Sequence, residues 1–421
     1  MLFRMRPTAA AFGAAVLLVA CSPTSEQPSP TNSSQPSSTT STSTSSPAAG
    51  PIRGPEPTVA TPLVASVVAA PVPVPATDGK MHLAYELQLT NTLTQDVTVT
   101  SVTVLDRDVS LLHLTGDQVG YWTRIVGTPT PTTKIGPSQS AVVWLDVALD
   151  KDVSIPAQLT HAVGISVAQP MEPLFPATMT EHVAPVTVQT RRPVVISPPL
   201  AGPNWLDGNS CCDMTAHRMA LNPLNGQLWA AERFAIDYVQ LGPDGRLFTG
   251  DRAKPESYPY FGADIHAVAD GPVVSVRDGL PEQVPGQSPT GLPLDRYAGN
   301  HIVQDLGDGN YALYAHLKTG TIKVKPGDKL TAGKVFASLG NTGNSDAPHL
   351  HFHVMSTPDP LRSDGLPFVF STFELDSRVA SLAALDPLLA GQPAPLQPGF
   401  GARDESDVSP MVLDVMTYAD R

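Results

Sequence analysis

Pro348-His349-Leu350-His351-Phe352-His353-Val354 alternates imidazole and apolar side chains without a break. In an extended chain successive side chains point to opposite faces, so the stretch reads as a strand. Three histidines share one face, and Leu350, Phe352 and Val354 share the other. The same alternation in Tyr311-Ala312-Leu313-Tyr314-Ala315-His316-Leu317 puts His316 opposite Leu313 and Leu317. In Arg233-Phe234-Ala235-Ile236-Asp237-Tyr238 it puts Arg233 and Asp237 together, opposite Phe234, Ile236 and Tyr238. Any one of these polar residues alone is an ordinary exposed strand position. A His-x-His, a further strand histidine and a strand aspartate within one segment form the donor set of a catalytic zinc, which takes three protein ligands and keeps a position for water. The helical His-Glu-x-x-His motif and the Gly-x-Ser-x-Gly nucleophile elbow are both absent.

An ordered set of motifs surrounds this core. Ile265-His266-Ala267-Val268-Ala269-Asp270-Gly271-Pro272-Val273-Val274 is followed by Gly299-Asn300-His301-Ile302-Val303, Tyr314-Ala315-His316-Leu317 and Val324-Lys325-Pro326-Gly327-Asp328-Lys329. Gly340-Asn341-Thr342-Gly343-Asn344-Ser345 and Pro348-His349-Leu350-His351-Phe352 complete it. Over roughly residues 232 to 356 the sequence resembles the lysostaphin/LytM zinc metalloendopeptidases, peptidoglycan peptidases with a duplicated hybrid motif. The resemblance implies a compact, mostly antiparallel β fold and hydrolysis of peptide bonds in peptidoglycan cross-links. It also implies zinc ligation by Asp237 and His351, with His349 and His316 acting on the water and the developing oxyanion. Asn341, Gly343 and Asn344 form a turn-rich loop expected to shape the groove, although turn chemistry alone accounts for the glycines.

One departure matters. The family's first motif is His-x-Gly-x-Asp, and the corresponding residues are Arg233-Phe234-Ala235-Ile236-Asp237. A guanidinium has no lone pair to offer, so Arg233 cannot be the missing ligand. Either His217 supplies the third donor across a hairpin closed near Pro223-Leu224-Asn225-Gly226, with Arg233 neutralising the Asp237 carboxylate or binding a substrate carboxylate, or the site is degenerate and the domain binds peptidoglycan or activates another wall hydrolase.

Near His217 stand Cys211 and Cys212, whose adjacency points their side chains apart in an extended chain; a vicinal disulfide or a simple structural pair is expected rather than a zinc site. His266 and His301 read as packing residues, and His353 shares a face with the His-x-His pair but lies one step further along, where a role supporting the ligands and none at all are equally expected. Pro255–Tyr260 and Pro281–Leu294 read as surface insertions walling the substrate groove, and Ala380–Leu389 as a short helix. Val324–Ser338 also resembles the hairpins of lipoyl and biotinyl carriers, but it lacks a lysine at the symmetric turn and leaves the His-x-His unexplained.

The full chain has 421 residues, too long for one ordinary core. Its 26 basic against 39 acidic residues give a net charge of -13, which disfavours nucleic acid as a partner. Three cysteines are too few for a disulfide-built fold. Arg4 and Arg6 precede an apolar stretch ending Leu18-Val19-Ala20-Cys21, which resembles the lipobox of bacterial lipoproteins, and residues 1–20 are read as the signal peptide. That implies a lipid on Cys21 and a place in the cell envelope, on the outer side of the cytoplasmic membrane or in the outer membrane. Between Ser22 and Gly50, 22 of 29 residues are Ser, Thr or Pro, so 21–57 reads as a disordered tether.

From 58 to 196 short alternating segments follow one another. In the first, Leu83, Tyr85, Leu87 and Leu89 alternate with Ala84, Glu86, Gln88 and Thr90; Val97–Leu105, Ala141–Leu149, His161–Val167 and Val183–Ile196 follow. These predict an immunoglobulin-like β-sandwich with one face buried and one wet. His82, His113, His161 and His182 show no ligand spacing there. The expected architecture is all-β: this sandwich, a peptidase domain of antiparallel sheet and barrel-sandwich type over 197–370, and a C-terminal extension over 371–421.

Overall fold

A computed structural model describes residues 58–420, which are nearly all β. The signal segment, Cys21 and the Ser/Thr/Pro stretch expected to be a tether lie outside the described residues. Among the described residues no helix is long and apolar enough to cross a membrane.

The first folded part consists of two five-stranded antiparallel sheets sharing one core. One sheet is built on Lys80–Asn91 paired with Ser140–Asp150, the other on Val97–Asp106 paired with Gln158–Val167. Leu83, Tyr85, Leu87 and Leu89, every second residue of their strand, meet Val97, Val99, Val102 and Val104 of the facing sheet, as the two-residue period requires. Alternation predicts a wet opposite face, but Ala84 and Glu86 on that face are buried. The second folded part covers them. Val74 and Ala84 pack with Cys211, Cys212, Phe234 and Val369, and Val142 and Trp144 pack with Met214.

That second part is organised by an eleven-stranded antiparallel sheet. In spatial order its central strands are Gly271–Arg277, His301–Gly307, Asn310–Ala315, Leu350–Met355, Ile236–Gln240, Gly202–Gly208, Asp414–Tyr418 and Phe373–Arg378. The strands after residue 370 thus continue the sheet rather than stand apart from it, and Leu375, Val415, Met416 and Tyr418 enter the common core. The expected helix is a 3-10 turn over Leu382–Ala384 leading into Leu385–Leu389.

The apolar face of the histidine strand fixes its polar face. Phe352 packs edge-on against Tyr314 and Phe368, with ring centroids 5.3 Å away in each case. Burying such a ring is worth about 1.5–3 kcal/mol. Slipping the register by one residue would carry the histidines into the core and Phe352 out of it, so Leu350, Phe352 and Val354 set the orientation of the site.

Candidate active site

Cross-strand register brings the first donors together. Ile236–Gln240 and Ala315 of Asn310–Ala315 flank Leu350–Met355, so that His351 lies directly between Asp237 and Ala315. Asp237 and His351 therefore share a face, with Oδ1 and Nδ1 2.9 Å apart, and the small Ala315 leaves the other side open. Beyond Asp237, Gly208 is its partner on the next strand. A Cβ at Gly208 would lie 2.9 Å from the Asp237 carbonyl oxygen, so this close approach needs glycine.

His217 joins them, though not from a hairpin strand. The Asn225-Gly226 turn does close a hairpin between Asn222–Leu224 and Gln227–Trp229, but His217 precedes it on a helical turn, Ala216–Met219, capped by Thr215. Its Nδ1–H donates to the Ala235 carbonyl at 3.0 Å, which turns Nε2 to within 3.2 Å of Asp237 Oδ2. One ligand atom from each of His217, Asp237 and His351 lies within 4.8 Å of the others, and so does one from each of His316, His349 and His351.

His316 arrives by another device than alternation. Its strand ends at Ala315, and His316 itself has a φ of 58°, the left-handed region. That backbone reversal swings the ring into the site, so Leu313, expected on the opposite face, borders the same cavity. His316 Nδ1–H donates to the Thr342 carbonyl at 2.7 Å, and His349 Nδ1–H to the Ala347 carbonyl at 2.8 Å. Both rings consequently present Nε2, and that of His349 lies 3.2 Å from Asp237 Oδ1.

The charges follow this geometry. Burial alone would push the Asp237 carboxyl up, but His217 and His349 outweigh it and hold the group well below the usual carboxylate range. Burial opposes a charge on His217, yet Asp237 beside it raises the ring to about 9. His349 is raised for the same reason. His316, buried and facing His349 and His351, is pushed well below the ordinary histidine value and stays neutral.

Two further neighbours carry no signal in the local sequence. Asn209, left-handed at φ 64°, donates from Nδ2 to Asp237 Oδ2 at 2.9 Å, and Ser345 Oγ lies 3.2 Å from His349 Nδ1. Nothing in the local pattern of Gly208-Asn209-Ser210 distinguishes that asparagine from a turn residue. Of the loop expected to shape the groove, Asn344 borders a cavity of about 310 Å³ while Asn341 and Gly343 do not, and Ser345, Ser288, Pro289 and the five candidate residues line it as well. The 281–294 insertion thus walls the groove as expected. The 255–260 insertion does not, because Tyr258 and Tyr260 are drawn into the core.

Arg233 has a different role from the two expected of it. Ala231–Phe234 form a turn before the strand begins at Ile236, so Arg233 is directed away from Asp237. Its guanidinium grips Glu86 of the sandwich, with Nε 2.9 Å from Oε1 and Nη2 2.5 Å from Oε2, and Arg218 takes the other side of that carboxylate.

Cys211 and Cys212 are joined in a vicinal disulfide. His82, Asp146 and Cys212 also approach within 4.8 Å, at the junction with the sandwich. The disulfide occupies that sulfur, and the two ring nitrogens of His82 already meet Asp146 at 3.0 Å and Asp78 at 3.1 Å.

Residues 258–363 match Peptidase family M23. The chain carries an M23 peptidase domain of the LytM/lysostaphin type. The matched segment of the M23 domain includes His316, His349 and His351, whereas His217 and Asp237 precede it. Among curated proteins, the chain is 29% identical over 138 residues to the peptidoglycan DD-endopeptidase ShyA of Vibrio cholerae serotype O1, covering 32% of this chain and 30% of ShyA. It is 24% identical over 102 residues to Endolysin 2638A of Staphylococcus phage 2638A, covering 24% of this chain and 18% of the endolysin. The chain therefore matches less than a third of the length of either relative. Among solved structures, the catalytic domain of the prophage-encoded M23 protein EnpA from Enterococcus faecalis is 20% identical, with 41% of this chain and 93% of that one covered and a TM-score of 0.25.

Proposed function

We propose that the chain is a zinc metalloendopeptidase that hydrolyses peptide bonds of peptidoglycan cross-links during cell-wall remodelling. His217, Asp237 and His351 would hold the zinc, and His316 and His349 would act on the water and the oxyanion. The observation carrying this reading is the arrival of His217 Nε2 at 3.2 Å from Asp237, which supplies a third donor although arginine stands where the family has histidine. Two buried imidazoles and one partly exposed carboxylate, mutually within 4.8 Å, fit the ligand set of a catalytic zinc. The match to Peptidase family M23 and the likeness to a peptidoglycan endopeptidase support the substrate class.

When bound, zinc would polarise the scissile carbonyl and lower the pKa of the attacking water toward about 7. The remaining work falls to the chain. Asn209 and His217 hold Asp237 in place by its Oδ2. His316, neutral and tied through Nδ1 to Thr342, turns the Nε2 lone pair to the cavity and accepts the proton of the attacking water. His349, tied in the same way to Ala347, turns Nε2 to the cavity and in its protonated form would donate toward the oxygen on which negative charge develops.

Metal analysis of the purified protein tests the centre directly. One zinc per chain is expected, with His217→Ala losing both zinc and peptidoglycan digestion. A wild-type protein that takes up no zinc and digests nothing, yet binds peptidoglycan or stimulates another hydrolase, would make the domain a regulatory module instead. The same reading tethers the chain to the cell envelope through lipid on Cys21. Wild type should enter the detergent phase and Cys21→Ala the aqueous phase; equal partitioning would remove Cys21 as the anchor.

A further inference from the structure

Three of the four histidines in the donor cluster are fastened alike. His217, His316 and His349 each give Nδ1–H to a backbone carbonyl, of Ala235, Thr342 and Ala347 respectively, and each turns Nε2 inward. His351 is reversed. Its Nδ1 faces Asp237 at 2.9 Å, so Nε2 points away from the donors. What waits there is not a carbonyl but Nδ1 of His353, at 2.9 Å.

Proton counting fixes the roles. If His351 offers its Nδ1 lone pair to a metal shared with Asp237 and His217, a neutral ring must carry its proton on Nε2. That N–H then needs an acceptor, because it is buried. The nitrogen within reach is His353 Nδ1, which accepts only if His353 carries its own proton on Nε2. Nothing opposes that arrangement: His353 Nε2 is buried with no hydrogen-bond partner among the described residues, so no other group dictates the opposite tautomer. The ring is held in place independently, since its residue pairs with Leu313 within the sheet and its neighbours Phe352 and Val354 are anchored in the core.

We infer that His353 is a positioning residue of the metal centre: its Nδ1 accepts from His351 Nε2–H and so commits His351 to ligation through Nδ1. This rests on the zinc reading of the site and adds to it. The third histidine of the strand does for His351 what backbone carbonyls do for the other three. Partners that orient a metal-bound imidazole are worth about 10- to 100-fold in metal affinity.

The test compares two variants of the full chain. His353→Leu keeps bulk and removes the acceptor, whereas His353→Asn places a carboxamide oxygen near the position of Nδ1. Zinc affinity is measured by competition with a chromophoric chelator, and circular dichroism confirms that each variant is folded. His353→Leu should bind zinc about 10- to 100-fold more weakly, and His353→Asn should restore most of that loss. Nitrogen-15 spectra of the zinc-loaded wild type should show the His351 proton on Nε2. A folded His353→Leu with wild-type zinc affinity, or a His351 proton on Nδ1, overturns the inference while leaving the zinc site intact. A wild type that takes up no zinc overturns both.

Discussion

The carboxylate of Glu86 offers the most demanding test of how the site is supported. It belongs to the sandwich, yet it is fully buried between Arg218 and Arg233, which are themselves 1% and 4% exposed. Arg218 follows His217 directly, and Arg233 stands four residues before Asp237. Glu86→Gln keeps the shape and removes the charge, leaving two guanidinium groups in a dry interface with no full counter-charge. Breaking a buried ion pair by removing one partner costs about 3–5 kcal/mol, or roughly 10² to 10⁴ in the folding equilibrium. The expected result is a lower urea midpoint together with weaker zinc binding, because the segments that loosen carry two of the three proposed ligands.

The pH dependence has a definite sign. Burial pushes the Glu86 carboxyl up, but Arg233 and Arg218 outweigh it and hold the group below the ordinary glutamate value. A depressed folded pKa contributes stability that is present above the unfolded value of about 4.3 and lost as pH falls through the folded one. The difference between wild type and Glu86→Gln should therefore be full at pH 7 and shrink in acid. A triple variant, Glu86→Leu with Arg218→Met and Arg233→Met, should recover much of the stability, since an apolar trio of similar volume removes the desolvation cost altogether. If Glu86→Gln unfolds within about 0.5 kcal/mol of wild type and binds zinc equally well, the buried triad is not what supports the site.

Two further outcomes separate the remaining roles. His351→Ala should lose zinc and activity together, whereas His316→Ala and His349→Ala should retain zinc and lose about 10² to 10⁴ in turnover on purified peptidoglycan, so normal digestion by His349→Ala would remove it from the chemistry. His82, although burial works against its charge, is raised to about 10 by Asp146 and Asp78, so its contribution to stability is complete below about pH 6.5 and lost as pH rises through 10. Urea midpoints at pH 6.5 and 10 should fall less for His82→Gln than for wild type; equal falls would show that the ion triad contributes nothing.

What the sequence discloses and what it hides divides along a physical line. The period of two is a local property, and it correctly placed His349, His351 and His353 on one face and the core residues on the other. It failed at His316, because one left-handed residue at a strand end reverses the side on which a side chain falls. It failed again at Arg233, where the strand had not yet begun. His217 follows from the chemistry of a missing ligand, but its helical turn leaves no mark in the local pattern. Asn209 and Glu86 were invisible because their roles depend on neighbours 28 and 132 or more residues away.

Arginine at position 233 creates two separate problems, and different parts of the fold answer them. The first is a missing lone pair at the proposed metal centre, which His217 is placed to supply from a turn held by Thr215 and the Ala235 carbonyl. The second is a cation in an interior position, which Glu86 neutralises from across the junction. Neither answer works alone: His217 without Glu86 would sit beside an uncompensated Arg218, and Glu86 without His217 would leave two donors for a metal that takes three. The residue following the new ligand is itself an arginine gripping the same carboxylate, so the two answers are joined within a single turn of chain. The sandwich is therefore a structural part of the candidate site rather than a spacer ahead of it, and substitutions at Glu86 should register at the proposed metal ligands, through an arginine 132 residues away in sequence.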